Sequence, residues 1–294
     1  MPRLAEIIVY PLKGARAVSV SEANVVSTGL QHDRCWMVVK PDGTFVNQGG
    51  ENRAGNHRIA RVEAIVRGKY VVLTSPKNVS RLELEIADTV GCRLVRVAIF
   101  GSACEAFDLG DEAADWISAE LGEAVRLVQV PNNIRRVAKY DPEGATTTIA
   151  FQDAGTMIAT SKPSLEDLNA RIRNRGKDPV PMNRFRPNLV FDGCTPYEED
   201  TWRLVRIGDV FLHFTLPSGR CGITTLDQET GIRHHGEPLI TLALYRRWRR
   251  PGSESAKPIF GMNVNHEGTG VLRVGDEIEV LERGGPFVQH GSVI

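Results

Sequence analysis

The apolar residues of this chain come in short runs, rich in β-branched side chains and closed off by Gly, Pro, Asn or Asp. Such punctuation suits strands and tight turns and leaves little room for long helices. Glu6–Tyr10, Ala17–Val26, Cys35–Lys40, Tyr70–Thr74 and Arg93–Ile99 are predicted as strands, and Pro41-Asp42-Gly43 is a turn signal between two of the runs. The first third therefore reads as all-β, a small barrel or sandwich. Asp111–Leu121 reads as a short helix: Asp111 can cap it, Ala113, Trp116, Ile117 and Leu121 share a face, and Gly122 ends it. That helix is expected to mark the hinge between a unit at 1–108 and a second at 109–294. Asn132–Thr148 is polar and reads as a surface loop. Met157–Thr160 reads as a buried strand leading to a helix with Ser161 and Ser164 as candidate caps and Leu165, Leu168 and Ile172 on one face. A further helix is expected from Pro238 to about Arg250, with Leu239, Leu242 and Ala243 inward and Arg246, Arg247, Arg249 and Arg250 at the negative end of its dipole. Gly208-Asp209 and Gly275-Asp276 each suit a two-residue hairpin. The fold class is mainly β (α+β): a barrel-like N-terminal unit, then a second β-rich unit with a few peripheral helices.

With 294 residues, 41% of them hydrophobic, the chain can build one large or two smaller cores without disulfides. The 36 basic residues balance the 36 acidic ones, so global attraction to nucleic acid or an acidic membrane is not favoured. The start, Met1–Glu6, has no apolar secretory core, and no stretch approaches the roughly 20 apolar residues of a membrane span. Five unpatterned cysteines argue against a secreted disulfide framework, so the chain is expected to be cytoplasmic with reduced thiols.

Four constellations invite chemistry. Cys221 follows Arg220, with Gly219 and Gly222 on either side of the pair and Thr224-Thr225 just beyond. A neighbouring cation favours the thiolate, the form that attacks substrates and binds metals, whereas most free cysteines are small buried hydrophobes. In Arg184-Phe185-Arg186-Pro187-Asn188 two guanidinium groups would share one face if the segment is a strand. They would suit a phosphate or carboxylate, or form an ordinary solvated edge. Tyr10-Pro11-Leu12-Lys13-Gly14 places a lysine at a strand end, and His32-Asp33-Arg34 reads as an anion site or a surface ion pair. His234-His235 reads as a loop tip rather than a metal site, because adjacent side chains point apart. Cys-x-x-Cys, the Walker loop, the dinucleotide fingerprint and the Gly-x-Ser-x-Gly elbow are all absent.

Taken in order, these fragments resemble one family. Tyr10-Pro11-Leu12-Lys13, Gly29-Leu30 and Asp33-Arg34-x-Trp36-Met37-Val38 resemble the N-terminal β-barrel domain that accompanies MOSC domains. Ser161-x-x-Ser164-Leu165-x-Asp167-Leu168-Asn169 and Arg184-Phe185-Arg186-Pro187-Asn188-Leu189-Val190 are similar to the MOSC pattern. So are Tyr197-x-Glu199-Asp200-x-Trp202, Ile207-Gly208-Asp209, Arg220-Cys221-x-x-Thr224-Thr225-x-Asp227 and Phe260-Gly261-x-Asn263. The match spans nearly the whole chain and is nearest to the amidoxime-reducing components and their bacterial relatives.

The resemblance implies a molybdenum cofactor, a metal held by a pterin (Mo-molybdopterin) and bound by Cys221, since a soft thiolate suits such a metal. It implies cofactor contacts from Lys13, Gly14, Arg34, Arg186, Asn188, Gly219 and Arg220, with Thr160 and Ser161 offering hydroxyl and N–H groups at a helix start. The implied activity is reduction of small N-hydroxylated compounds such as amidoximes and hydroxylamines, with electrons from a separate haem, iron–sulfur or flavin protein. The alternative is a non-catalytic cofactor-binding or carrier module, as in the C-terminal part of cofactor sulfurases, whose partner domain uses pyridoxal phosphate. A barrel that has lost the cofactor and binds another anion is a third reading. The chain departs from the family pattern where Pro217-Ser218-Gly219-Arg220-Cys221 replaces the common Pro-Cys-Ser-Arg-Cys, and where Gly14 stands in place of a common serine. The membrane anchor of the mitochondrial members and the ferredoxin-like module of some bacterial ones are expected to be absent.

Overall fold

A computed structural model of the chain describes residues 1–49, 55–86, 91–133, 136–138, 146–233 and 236–288. Its centre is a nine-stranded sheet. The order is Glu279–Arg283, Trp202–Ile207, Val210–Gly219, Lys257–Glu267, Met157–Ser161, Leu189–Asp192, Arg3–Val9 and Val18–Val20, with Arg247–Trp248 added beside Lys257–Glu267. The first strands of the chain thus complete a sheet made by its second half. One strand pair, Met157–Ser161 with Leu189–Asp192, is parallel. A parallel pair needs a crossover, and helix α2 (Lys162–Asn174) lies within it. Three smaller sheets surround this one. One sets Trp36–Val39, Arg126–Gln129, Ser102–Asp108 and Arg93–Ile99 side by side, and another is the meander Glu63–Arg67, Tyr70–Thr74, Leu82–Glu85.

The alternation of apolar residues sorts these strands into separate cores. The largest packs Leu4 and Ile7 against Leu189, Phe191, Val205, Leu212 and Val264, around a fully buried Trp202. Phe191 and Phe214 meet the Trp202 ring at 5.2 and 5.5 Å, the tilted geometry that aromatic quadrupoles favour. A second core gathers Leu12, Trp36, Val62 and Leu73 under helix α1 (Gly110–Leu121), which contributes Ala113, Trp116, Ile117 and Leu121 as its spacing predicts.

Several expectations change in detail. Ala17–Val26 is two strands, Val18–Val20 and Glu22–Val26, which join different sheets. Asp111 does not cap α1: Asp108 Oδ1 accepts the Gly110 N–H at 3.1 Å, and Asp111 pairs with Arg126 at 3.0 Å. Gly122 ends α1 in the left-handed conformation, as expected. Gly208-Asp209 turns a hairpin, but Gly275-Asp276 does not, because Gly270–Arg273 pairs with Glu22–Val26 and Glu279–Arg283 with Trp202–Ile207. Helix α3 spans only Leu239–Tyr245, burying Thr241 and Leu242 while Leu239 and Ala243 are half-buried. Arg246 is the C-cap of α3, but its side chain turns inward. It is fully buried and bonds Asp200 at 2.6 Å, after which the chain turns into the sheet. Val137 and Thr148 form a bridge within the expected loop, whose residues 134–135 and 139–145 lie outside the described residues, as do His234 and His235. No helix among the described residues is long and apolar enough to cross a membrane.

Two register shifts near Pro217 bend Val210–Gly219 against Lys257–Glu267. Proline cannot donate to the ladder, and opposite the shift Gly261 takes φ +74°, a bulge geometry suited to glycine. A Cβ at 261 would overlap the Ala159 carbonyl oxygen and stand 2.6 Å from Thr160 Cγ2. Gly261→Ala is therefore expected to destabilise the fold by roughly 2–4 kcal/mol, read as a lower urea midpoint at unchanged m-value.

Candidate functional site

The bend at Pro217 delivers Gly219, Arg220 and Cys221 to the end of the sheet, and Cys221 is the exposed cysteine among the five. A 3-10 turn, Gly222–Thr225, follows it. The Thr224 N–H and hydroxyl both donate to the Cys221 carbonyl at 3.0 Å, and the Thr225 hydroxyl donates to Gly222 at 2.7 Å. The Thr-Thr pair thus pins the loop that presents the thiol. Arg220 points inward. Its Nε and Nη2 donate to the Phe260 carbonyl at 2.8 and 2.5 Å, and Nη1 donates to that of Phe185 at 2.8 Å. Burial pushes its pKa down to about 10, against the favourable influence of Cys221.

Cys221 opens on a cavity of about 470 Å³ that also receives Lys13, Gly14, Arg34, Arg184, Arg186, Asn188, Gly219 and Arg220. That volume falls in the range of small-molecule and cofactor sites. Lys13 sits at a turn where Gly14 takes φ +87° and a Cβ would meet Ile59 at 3.3 Å, so this chain's glycine suits its backbone. Lys13 Nζ lies 4.9 Å from the centre of the Phe45 ring and pairs with Asp153; burial lowers its pKa.

Arg34 and Arg186 are both non-glycine residues in the left-handed region, at φ +51° and +52°. Such strain is held only where surrounding contacts over-determine it, and here they do. Their guanidinium carbons lie 4.5 and 4.2 Å from the centre of the Tyr10 ring. Arg34 Nη1 donates to Asp33 at 2.5 Å and to Asn188 Oδ1 at 2.8 Å. Arg186 Nη1 donates to the Ala15 carbonyl at 2.7 Å and to Gln228 at 2.9 Å. Asp33, 1% exposed, also accepts the Tyr10 N–H at 2.9 Å, so His32-Asp33-Arg34 is a buried ion-pair corner rather than a surface one. Burial raises the Tyr10 pKa to about 12 and lowers that of Arg186 to about 10. Asn188 is fully engaged in positioning: it takes Arg34 and the Ile158 N–H, and donates to the Ile8 carbonyl at 3.1 Å. Met182–Phe185 is a 3-10 turn rather than a strand, so Arg184 and Arg186 reach the cavity from a bend and not from one strand face.

Thr160 and Ser161 do not line the cavity. Ser161 caps α2, accepting the Ser164 N–H, and its hydroxyl donates to Glu199 at 2.9 Å. Ser164 also donates to Glu199, at 2.8 Å, and the Thr160 hydroxyl points to Met182 Sδ at 3.3 Å. A protein carboxylate therefore occupies the neighbourhood of the helix start that sequence reasoning reserved for a ligand. Glu199 carried no signal of its own beyond its place in the Tyr197–Trp202 run. Asp153, Trp248 and Lys257 also line the cavity and lay outside every motif. Among the described residues, the lining holds Lys13, Arg34, Arg184, Arg186, Arg220, Arg250 and Lys257 against the single carboxylate of Asp153. The site favours an anion and offers it a thiol.

Two family models match the chain: the MOSC N-terminal beta barrel domain over residues 1–124 and the MOSC domain over residues 146–279. Mitochondrial amidoxime reducing component 2 of Rattus norvegicus is 35% identical over 288 residues, covering 94% of this chain and 82% of the relative. Component 1 of Mus musculus is 33% identical over 290 residues (95% and 82%), and component 2 of Homo sapiens 34% over 285 (94% and 82%).

Cys221 is expected to react first with iodoacetamide, ahead of Cys35 and Cys194, whose pKa values burial pushes up to about 12. Peptide mass spectrometry of a partial alkylation reads this directly. Burial, then repulsion from Asp200, raises the Glu199 pKa from its ordinary 4.5 to about 7. The fold thus retains a proton between these values that the unfolded chain releases. This contribution to stability is full below pH 4.5 and lost as pH rises through 7. Urea midpoints measured from pH 5 to 8 should fall less in Glu199→Gln than in the wild type.

Proposed function

The chain belongs to the MOSC-domain family of the amidoxime-reducing components, and from that membership we propose that it is a molybdenum-cofactor-dependent reductase of N-hydroxylated compounds. The observation that carries this reading is the exposed Cys221 thiol opening on a cavity lined by cations. The cofactor is anionic at its phosphate, its metal favours a soft sulfur ligand, and the donor set present here fits both. Buried guanidinium N–H groups of Arg184 that meet no partner among the described residues fit the same kind of ligand. Among the described residues no three His, Cys, Asp or Glu side chains converge on a possible metal position. Cys221 is the residue assigned to the metal.

When bound, the cofactor supplies the two-electron couple at which the substrate's N–O bond is cleaved. The overall change consumes two electrons and two protons and releases the amine or amidine and water. The chain's own residues prepare the site. Lys13, Arg34 and Arg186 set positive charge around the cofactor's anionic part. Asn188 and Tyr10 orient Arg34. Arg220 fixes the loop that carries Cys221 through the Phe185 and Phe260 carbonyls. Gly219 leaves room beside the thiol: a Cβ there would meet Lys257 at an ordinary 3.5 Å, so the serine common in relatives would fit. Electrons come from a separate haem, iron–sulfur or flavin protein.

The test is to purify the chain from a cofactor-competent host, measure bound molybdenum, and assay benzamidoxime reduction with an artificial electron donor. The wild type is expected to carry the metal and turn over, and Cys221→Ala to lose turnover by more than about a hundredfold. Retained activity in Cys221→Ala would sink the assigned role, and metal without turnover in the wild type would point to a carrier.

A further inference from the structure

Arg184 differs from the other cations of the cavity in how its donors are used. Its side chain is 4% exposed, and Nη2 donates to Asp227 Oδ2 at 3.1 Å. Nε and Nη1 are buried and have no hydrogen-bond partner among the described residues. The other cations bond the protein as well, Arg220 on two carbonyls, Arg186 Nη1 on Ala15 and Gln228, Arg34 Nη1 on Asp33 and Asn188 and Lys13 on Asp153, but among the described cavity cations it is Arg184 that has buried N–H groups without a partner. Asp227 is held in place, because its Oδ1 accepts the N–H groups of Glu229 and Thr230 at 3.0 and 2.8 Å. It anchors one end of the guanidinium, and Arg184 lines the same cavity as Cys221. Burial lowers the Arg184 pKa despite Asp227, so the protein alone compensates this charge incompletely. A planar guanidinium with adjacent open N–H groups matches an oxyanion.

We propose that Arg184 is the open anion contact of the cavity, taking a phosphate or carboxylate oxygen of the bound ligand on Nε and Nη1 while Asp227 holds Nη2. This rests on the functional reading above and narrows it. Two molecules present the required chemistry: the cofactor, through its phosphate, and an N-hydroxylated substrate bearing a carboxylate.

The experiment begins with the full chain made in a host that cannot synthesise the cofactor. It is titrated calorimetrically with inorganic phosphate, with chloride as the control at matched ionic strength. The wild type is expected to bind phosphate, and Arg184→Gln to bind it about tenfold more weakly, the worth of one charge-assisted contact. Equal affinity in the two proteins, or no phosphate binding by the wild type, overturns the proposal. A second measurement needs no variant: the wild-type Arg184 Nε–H resonance must shift with phosphate, and a static resonance overturns the proposal even where Arg184→Gln fails to fold.

The source is then resolved with chain from a cofactor-competent host. A lower molybdenum content in Arg184→Gln assigns the contact to the cofactor's phosphate. Retained molybdenum, with an approximately tenfold fall in the kcat/KM ratio of 4-carboxybenzamidoxime to benzamidoxime, assigns it to the substrate. No change in either overturns the proposal. Wild-type chain that binds phosphate through Arg184 but fails to reduce benzamidoxime counts against the functional reading and not against this contact.

Discussion

The guanidinium of Arg220 holds the site together. It is buried, and its contacts are backbone carbonyls from two separate segments, Phe260 on the long central strand and Phe185 on the turn that carries Arg184 and Arg186. Buried charges are costly unless well compensated, and carbonyl dipoles compensate a cation without cancelling its charge. The result joins three parts of the chain and leaves net positive charge beside Cys221. The stacked rings of Phe185 and Phe260, 4.0 Å apart, make the same junction rigid on its apolar side.

The rest of the cavity follows a similar economy of charge. Arg34 and Arg186 sit in strained left-handed backbone and lie over one tyrosine ring. Both contribute positive charge to a space whose described lining contains one carboxylate. Asp33 moderates this from behind, bonding both Arg34 and the Tyr10 backbone. Like charges gathered at this density destabilise an empty fold and favour one closed on an anion. On the far side of the strand Met157–Ser161, the opposite problem is solved with the same means. Glu199 is buried on two serine hydroxyls at the start of α2, and the neighbouring Asp200 is matched by the fully buried Arg246.

Much of the fold was legible because local rules and tertiary packing agreed. Tyr70–Thr74 and Arg93–Ile99 are strands at their predicted bounds, and α1 buries the face its spacing marks. The differences arise where a distant partner outcompeted a local preference. Arg126 claimed Asp111 away from capping. Asp200 drew Arg246 inward and ended α3 early. Sheet pairing with Glu22–Val26 took Gly270–Arg273 away from a hairpin that its turn residues favour. For the site, the motif order brought forward Lys13, Arg34, Arg186, Asn188, Gly219, Arg220 and Cys221, which do share one cavity. The family resemblance implied Thr160 and Ser161 there as well, at a helix start, but a carboxylate of the chain itself stands beside that helix start.

The sequence by itself determined the β-rich class, the family and the residue types available for chemistry. These depend on short-range periodicity and on motifs that can be read without knowing what they touch. Only the tertiary structure decided which residues the cations bond and which of them, like Arg184, keep buried N–H groups without a partner among the described residues. A guanidinium's hydrogen bonds reach across the fold to residues far away in sequence, and burial, which sets their strength, belongs to no single segment.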